Sequence, residues 1–311
     1  MFNQQIAQAD NGLLGFPAGK YIFSGARFRR PGPVLVFDTL SNQPSRLEIA
    51  VIGVPFTLRR FKRRLCIGRY DLATSVHHPC PTRAPVDEKE THCPDCQRAI
   101  GFAPAFYNLT LDQLSSQQRR YNDTPHVVYL AWFAPSVIKV GISSSERRID
   151  RWLEQGVIGA TVIFHTANAY EARKLEEMVS SEFKYREVVR SNEKLRGLFP
   201  APDHRVCATE LAVARWEIAK LCSIKVQEEE IFDGRPHYLA DSFPAREPVD
   251  LSNERPLVVS GFGHGIIGDI LLIIQRDDFY CVRLKTILAH VVELSAEILP
   301  NVGGLTQRRL L

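Results

Sequence analysis

The sequence of 311 residues has no apolar run of the roughly 18 residues that a membrane-spanning helix needs. Its most apolar region, residues 257–274, is interrupted by Ser260, His264, Asp269 and four glycines. The first residues, MFNQQIAQADNG, lack both the positive charge and the apolar stretch of a signal peptide. We therefore expect a cytoplasmic protein, in which the seven cysteines are reduced thiols or metal ligands rather than disulfides.

No compositional bias dominates the chain. Hydrophobic residues make up 45% and charged residues 24%, while glycine and proline number 19 each. These values exclude wholesale disorder, collagen and coiled coil as the class of protein. At about 100–200 residues per domain, the length indicates two or three domains.

Positive charge is concentrated near the start of the chain. Residues 1–65 carry a net charge of +7, whereas the whole chain carries only +4. Most of this charge lies in the run LRRFKRRLCIGRY, where Phe61 and Tyr70 are interleaved with cations. This pattern favours binding of nucleic-acid phosphates, DNA or RNA, over a merely solvated face. The candidate contacts are Arg59, Arg60, Lys62, Arg63 and Arg64.

Strand and helix patterns divide the chain into an α+β arrangement. Both terminal regions alternate like short strands, and the middle alternates strands with amphipathic helices. The predicted units are a β-rich basic region (1–65), a four-cysteine segment (66–100), an α/β module (124–225), a linker (226–256) and C-terminal β-structure (257–311).

Two glycine-punctuated segments resemble each other. Ser24-Gly25 precedes Gly32 and an apolar strand, and Ser260-Gly261 precedes Gly268 and another apolar strand. The similarity indicates either chance or a duplicated β-unit. The second segment, GFGHGIIG, also contains the G-x-G-x-x-G of dinucleotide sites. The residues that follow lack helical periodicity, so we predict a glycine-rich β-turn there.

Four cysteines lie within 31 residues with the spacing C-x13-C-x12-C-x2-C. A C-x2-C pair can place two thiolates on one tetrahedral ion, and two further cysteines complete a closed sulfur shell that selects structural Zn²⁺. His77 and His78 are alternative ligands, and a redox pair or unrelated thiols are alternative interpretations. The predicted ligands are Cys66, Cys80, Cys93 and Cys96.

The module at 124–225 begins with paired strands, HVVYLAWFAPSVIKVGIS. Val128-Tyr129-Leu130 and Lys139-Val140-Gly141 resemble the two tripeptides of the GIY-YIG nuclease superfamily. Arg148 on the next helix and Glu176 in an A-x-x-L-E helix also resemble that superfamily. The chain is further similar to an uncharacterised bacterial family that combines such a module with an upstream cysteine cluster.

The resemblance implies an endonuclease that hydrolyses phosphodiester bonds with Mg²⁺ or Mn²⁺. It assigns the catalytic roles to Tyr129, Arg148 and Glu176, with Arg147, Arg151 and Lys139 as further candidates. These residue types suit the chemistry, because a hydroxyl can orient water, a guanidinium matches phosphate and a carboxylate holds a hard cation.

Two residues depart from the superfamily pattern. A two-residue hairpin loop at 135–136 predicts that Val140 faces Ala131, on the same face as Tyr129, and replaces a second tyrosine. Trp152 stands in place of a histidine. The alternatives are therefore a non-catalytic zinc-containing protein that binds nucleic acid, or a structural partner in a protein complex.

Overall fold

The computed structural model describes residues 17–28, 32–72, 74, 76–186, 188–199, 203–222, 226, 229–238 and 246–300. Its strands are β1 (Gly19–Phe28), β2 (Pro33–Thr39), β3 (Arg46–Ile49), β4 (Pro55–Arg64), β5 (Arg69–Tyr70), β6 (His77–His78), β7 (His126–Ala134), β8 (Val137–Ser144), β9 (Gly159–Thr166), β10 (Phe232–Asp233), β11 (Val249–Asp250), β12 (Val258–Ile267), β13 (Ile270–Gln275), β14 (Asp278–Arg283) and β15 (His290–Ser295). Its helices are α1 (Pro94–Ile100), α2 (Ser116–Asn122), α3 (Arg148–Gln155), α4 (Ala169–Phe183), α5 (Ser191–Gly197), α6 (His204–Leu221) and α7 (Arg235–Tyr238). Within these residues, no helix is long and apolar enough to cross a membrane.

Strands from both ends of the chain form one nine-stranded sheet, in the order β11-β14-β13-β12-β4-β15-β1-β2-β3. Alternating apolar residues of these strands share one core, in which Phe37 and Leu58 pack in the same cluster as Ile273 and Val292. The predicted α+β class is confirmed. Residues 1–16 and 301–311 of the two predicted terminal regions lie outside the described residues.

The large sheet contains two sets of four strands with the same arrangement, β1 to β4 and β12 to β15. In each set the first three strands lie side by side. The fourth strand pairs with the first strand of the other set, so β4 pairs with β12 and β15 pairs with β1. Gly25 and Gly261, each following a serine, both have positive φ angles of 125° and 142°. This arrangement favours a duplicated unit with exchanged fourth strands over chance. Strand β12 covers residues 261–267 of GFGHGIIG and only Gly268 lies in the turn that follows, so most of the segment is strand rather than the predicted glycine-rich β-turn.

A second sheet has the order β10-β9-β7-β8, with β7 in the interior and fully buried. Helices α4, α5 and α6 contact it. The predicted linker contributes to this sheet, because β10 pairs with β9. Tyr238 of α7 is buried and donates a hydrogen bond to the Leu153 carbonyl at 3.2 Å. The described part of residues 226–238 is therefore packed against the module.

Candidate metal centre and polar cleft

The four predicted cysteines converge in one buried cluster. One Sγ atom from each lies within 4.8 Å of the others, and the Sγ atoms of Cys80 and Cys93 are 4.0 Å apart. Four sulfur ligands at this separation can surround a single tetrahedral ion such as zinc. His77 and His78 are not part of the cluster. The donor set among the described residues is therefore all sulfur.

Backbone geometry shapes this centre. The amides of Gly68 and Cys93 donate to Cys66 Sγ at 3.3 and 3.1 Å. Gly68 has a φ angle of 91°, and a Cβ there would lie 2.0 Å from the His78 carbonyl oxygen. Only glycine fits this tight approach. Cys93 is the N-cap of α1 and Cys96 lies in its first turn, where the helix dipole favours negative sulfur.

The cysteines are electrostatically unequal. Burial raises the pKa of Cys66 to about 11. For Cys80, burial acts in the same direction, but hydrogen bonds from Thr82 and the Ala84 backbone outweigh it and lower the pKa to about 7. Because buried thiolates repel one another, a bound cation would stabilise the ionised set.

The basic residues at the end of β4 form two groups, one that donates hydrogen bonds to backbone carbonyls and one that is exposed. Arg60 donates to the Thr286 carbonyl at 2.8 Å, and Arg64 donates to the carbonyls of Asp87, Glu90 and Leu288 at 3.2, 2.7 and 3.1 Å. Arg64 thereby joins the cysteine segment to the large sheet. The exposed members are Arg59, Lys62 and Arg63.

Tyr129 lies in the middle of β7, opposite Gly141 of β8. Its ring covers Gly141, where a Cβ would lie 2.8 Å from the Tyr129 Cζ and hydroxyl oxygen. Trp152 packs edge-on against the ring with a centroid separation of 5.6 Å. Gln155 Nε2 donates to the Tyr129 hydroxyl at 3.2 Å. The tyrosine is thus 1% exposed and held by α3 on one side and β8 on the other.

The predicted hairpin register is wrong by one residue. The loop has the expected two residues, because Ala134 pairs with Val137, but an irregularity between Trp132 and Ala134 shifts the pairing. Ala131 therefore pairs with Lys139, not Val140. A bulge adds one residue to one strand, and each one-residue shift exchanges the faces. Lys139, rather than Val140, thus lies on the face of Tyr129.

Glu176 occupies a buried position of α4, on the same face as Ala169, Ala172 and Val179. Its carboxylate forms an ion pair with Arg173 Nη1 at 2.5 Å. A carboxylate on the apolar side of a helix is uncommon unless it is paired or functional.

Electrostatics link Glu176 to Tyr129. Burial raises the pKa of Tyr129 to about 12, Arg151 and the Gln155 hydrogen bond oppose this rise, and the negative charge of Glu176 adds to it. Tyr129 and Glu176 therefore lie within electrostatic reach of each other.

Arg148 donates a hydrogen bond to a carbonyl only three residues earlier in the chain. It begins α3, and its Nη1 donates to the Ser145 carbonyl at 2.9 Å. Arg151, one turn later, is the cation that acts on Tyr129. Gln155, which sequence reasoning missed, could have been found by its spacing of seven residues from Arg148 on the same helix.

A family model described as "Protein of unknown function (DUF2797)" matches residues 89–273, more than half of the chain. No curated protein and no solved structure matches the sequence. The matched region includes Cys93 and Cys96, the whole central module and the strands up to β13. The expectation of an uncharacterised family is confirmed, and the chain belongs to the DUF2797 family.

Proposed function

We propose that this chain is a nucleic-acid-binding protein whose central module is GIY-YIG-like and hydrolyses phosphodiester bonds with a divalent cation. The observation that carries the proposal is Glu176, a carboxylate at a core position of α4 within electrostatic reach of Tyr129. The order of elements supports it, because a hairpin, helix α3, strand β9 and helix α4 bring these residues from separate parts of the chain.

Glu176 suits Mg²⁺ or Mn²⁺, since its carboxylate offers the oxygen ligands that hard cations prefer. When bound, such a cation supplies Lewis-acid stabilisation of charge on the phosphate oxygens. Among the described residues, the four cysteines form the one group of three or more His, Cys, Asp or Glu side chains placed to share an ion, and Glu176 does not belong to it.

Residues of α3 and β7 provide the groups that would contact the phosphate. Arg148 and Arg151 present guanidinium groups that match phosphate geometry and offset charge in the transition state. Tyr129 stays protonated at neutral pH because its pKa is about 12, so its hydroxyl can donate a hydrogen bond.

A second candidate function is nucleic-acid binding without cleavage. The burial of Tyr129 and its hydrogen bond to Gln155 favour it, because a catalytic hydroxyl must reach the substrate or its water. The ion pair of Glu176 with Arg173 favours it as well, since Arg173 competes with a cation for the carboxylate.

Cleavage assays separate the two functions. Purified protein is incubated with labelled DNA and RNA panels in Mg²⁺, Mn²⁺ or EDTA. We expect divalent-dependent cleavage that falls at least tenfold, or about 1.4 kcal/mol of barrier, in Tyr129→Phe and Glu176→Gln. Glu177→Gln, which alters the exposed neighbouring carboxylate, and Tyr185→Phe are the matched controls. Binding of nucleic acid without cleavage in the presence of either cation would contradict the nuclease function and support binding alone.

We further propose that the four-cysteine centre holds structural Zn²⁺. Elemental analysis of the purified protein should give one equivalent, and chelation should unfold residues 66–100 because metal binding supplies their folding energy. Cys96→Ser should lose the metal, whereas Cys222→Ser, which lies outside the cluster, should retain it. Less than half an equivalent in the unmodified protein would contradict a zinc site.

The exposed cations Arg59, Lys62 and Arg63 are the proposed nucleic-acid contacts of the basic run. Reversing the charges of Lys62 and Arg63 should weaken binding to all sequences alike, because phosphate contacts carry little base information. The slope of log affinity against log salt should become shallower by about one unit per lost contact. An unchanged slope would make these residues a solvated face, and salt-insensitive association would instead favour a protein partner.

A further inference from the structure

A cavity of about 840 Å³ lies where the module, the large sheet and helix α7 meet. The large sheet contributes the end of β1 and the start of β2 to its walls, the module contributes α3, and Phe232 and His237 come from the segment of β10 and α7. Its volume is in the range of about 300–1,000 Å³ that small-molecule sites occupy. Tyr129, Arg148 and Glu176 do not line it, so the cavity is separate from the groups assigned to cleavage.

A row of aromatic rings leads from Tyr129 to this cavity. Tyr129 meets Trp152 edge-on, and Trp152 lies 5.3 Å from Phe232 between ring centroids. Phe232 then stacks on His237, with centroids 5.5 Å apart and an angle of 24° between the ring planes. Both Phe232 and His237 line the cavity and are only partly buried. The row therefore ends at the cavity in a stacked pair of rings, and a further planar ring can extend such a stack.

The charged side chains of the described lining cancel one another. Arg27 and Arg147 contribute two positive charges, and Asp150 and Glu154 contribute two negative charges. Arg27 is paired with Glu48, and Arg147 is paired with Glu154, each at 3.1 Å. This lining does not favour a bare phosphate, because each guanidinium already has a carboxylate partner and Asp150 adds a further negative charge. It suits an uncharged ring that carries hydrogen-bond donors.

Asp150 is the acceptor that remains available to such a ring. It lies exposed in the first turn of α3, and within the described part of the chain it forms no hydrogen bond or ion pair. An ionised aspartate is an acceptor only, with two oxygens. The Watson–Crick edge of guanine presents two adjacent donors, the N1–H and the N2 amino group, which match these two oxygens. Unpaired bases are recognised in this way, by stacking on rings and by hydrogen bonds to their edges.

We infer that this cavity binds one unpaired guanine of the bound nucleic acid, with the base stacked on His237 and its Watson–Crick edge at the Asp150 carboxylate. The inference rests on the proposed function and adds base specificity to it. Helix α3 serves both sites, because Trp152 and Gln155 contact Tyr129 while Asp150 lines the cavity. A strand held along α3 can thus place a base in the cavity next to a phosphate at Tyr129.

The test measures binding of labelled single strands of DNA and RNA, with Ca²⁺ in place of Mg²⁺ so that the strands stay intact. The strands are identical except at one position, which holds guanine, inosine or an abasic site. The unmodified protein should bind the guanine strand about tenfold more tightly than the inosine strand, which lacks only the N2 amino group. Asp150→Asn should abolish this preference. Asp277→Asn, which alters an exposed carboxylate in the turn between β13 and β14, is the matched control and should keep it.

A second variant tests the ring. His237→Leu should weaken binding of the guanine and inosine strands alike, by about tenfold, because base stacking on a ring is lost. It should bind the abasic strand as the unmodified protein does. His165→Leu, which alters an exposed histidine of β9 outside the cavity lining, is the control and should bind all three strands normally.

The outcomes separate the inference from the proposed function. Equal binding of the guanine and inosine strands, or a guanine preference that survives in Asp150→Asn, would overturn the inference alone. Unlabelled guanosine monophosphate should compete only at concentrations far above those of the unlabelled guanine strand. Competition at equal concentrations would assign the cavity to free nucleotides and also overturn the inference. A protein that binds none of the strands would overturn the proposed function together with it.

Discussion

The contact between Tyr129 and Gly141 shows how a single residue can define a site. The tyrosine ring crosses the strand at a position where the opposing residue has no side chain, and this brings its hydroxyl to Gln155. Any larger residue at 141 would displace the ring from that path. The glycine of the second tripeptide therefore has a packing role that requires no assumption about catalysis.

Gly141→Ala should be destabilising, because the added Cβ would lie 2.8 Å from the Tyr129 Cζ and hydroxyl oxygen. Overpacking of this kind costs about 1–3 kcal/mol, which urea unfolding can measure. Gly32→Ala is the matched control, since nothing lies within 4 Å of a Cβ there. Equal free energies of unfolding for the two variants would mean that the ring moves aside without cost.

At the scale of elements, the end of β4 connects the large sheet to the cysteine segment. The strand pairs with β12 and β15 in the large sheet, and Cys66 of the four-cysteine cluster follows it after one residue. The guanidinium of Arg64 adds contacts to carbonyls on both sides, in the cysteine segment and at Leu288. A residue that sequence analysis assigns to phosphate binding thus has a structural role.

Arg64→Met should weaken the attachment of the cysteine segment, because three backbone carbonyls lose their donor. We expect a loss of about 1–2 kcal/mol in the free energy of unfolding. Hydrogen exchange at residues 87–92 should accelerate more than elsewhere. Lys62→Met, an exposed cation on the same strand, should leave both measurements unchanged. Equal exchange in the two variants would show that the segment is held without Arg64.

At the scale of the whole molecule, buried residues of the module and of the large sheet pack in one apolar cluster. Leu153 and Ile158 of the module belong to one apolar cluster with Ile267 and Ile270 of the large sheet. Ser191 of α5 also donates to Asp269 at 2.9 Å, in the turn between β12 and β13. The module and the large sheet therefore share part of their apolar core.

Residues 102–238 expressed alone should be less stable than the full chain, because the apolar cluster that they share with the large sheet becomes exposed. We expect binding of a hydrophobic dye and a lower melting temperature for this fragment, and a single cooperative transition for the full chain. A fragment that melts as the full chain does, without dye binding, would show that the shared cluster contributes little.

Local patterns in the sequence determined much of this protein. The cysteine spacing predicted the cluster, and alternation predicted strands at both ends, because periodicity and ligand spacing are properties of neighbouring residues. The tertiary structure alone decided the pairing of β4 with β12 and β15, which joins residues some 200 positions apart. It also decided the bulge that brings Lys139 to the face of Tyr129 and the carbonyl partners of Arg64. These features depend on which distant segments meet, and no local pattern of residues encodes that choice.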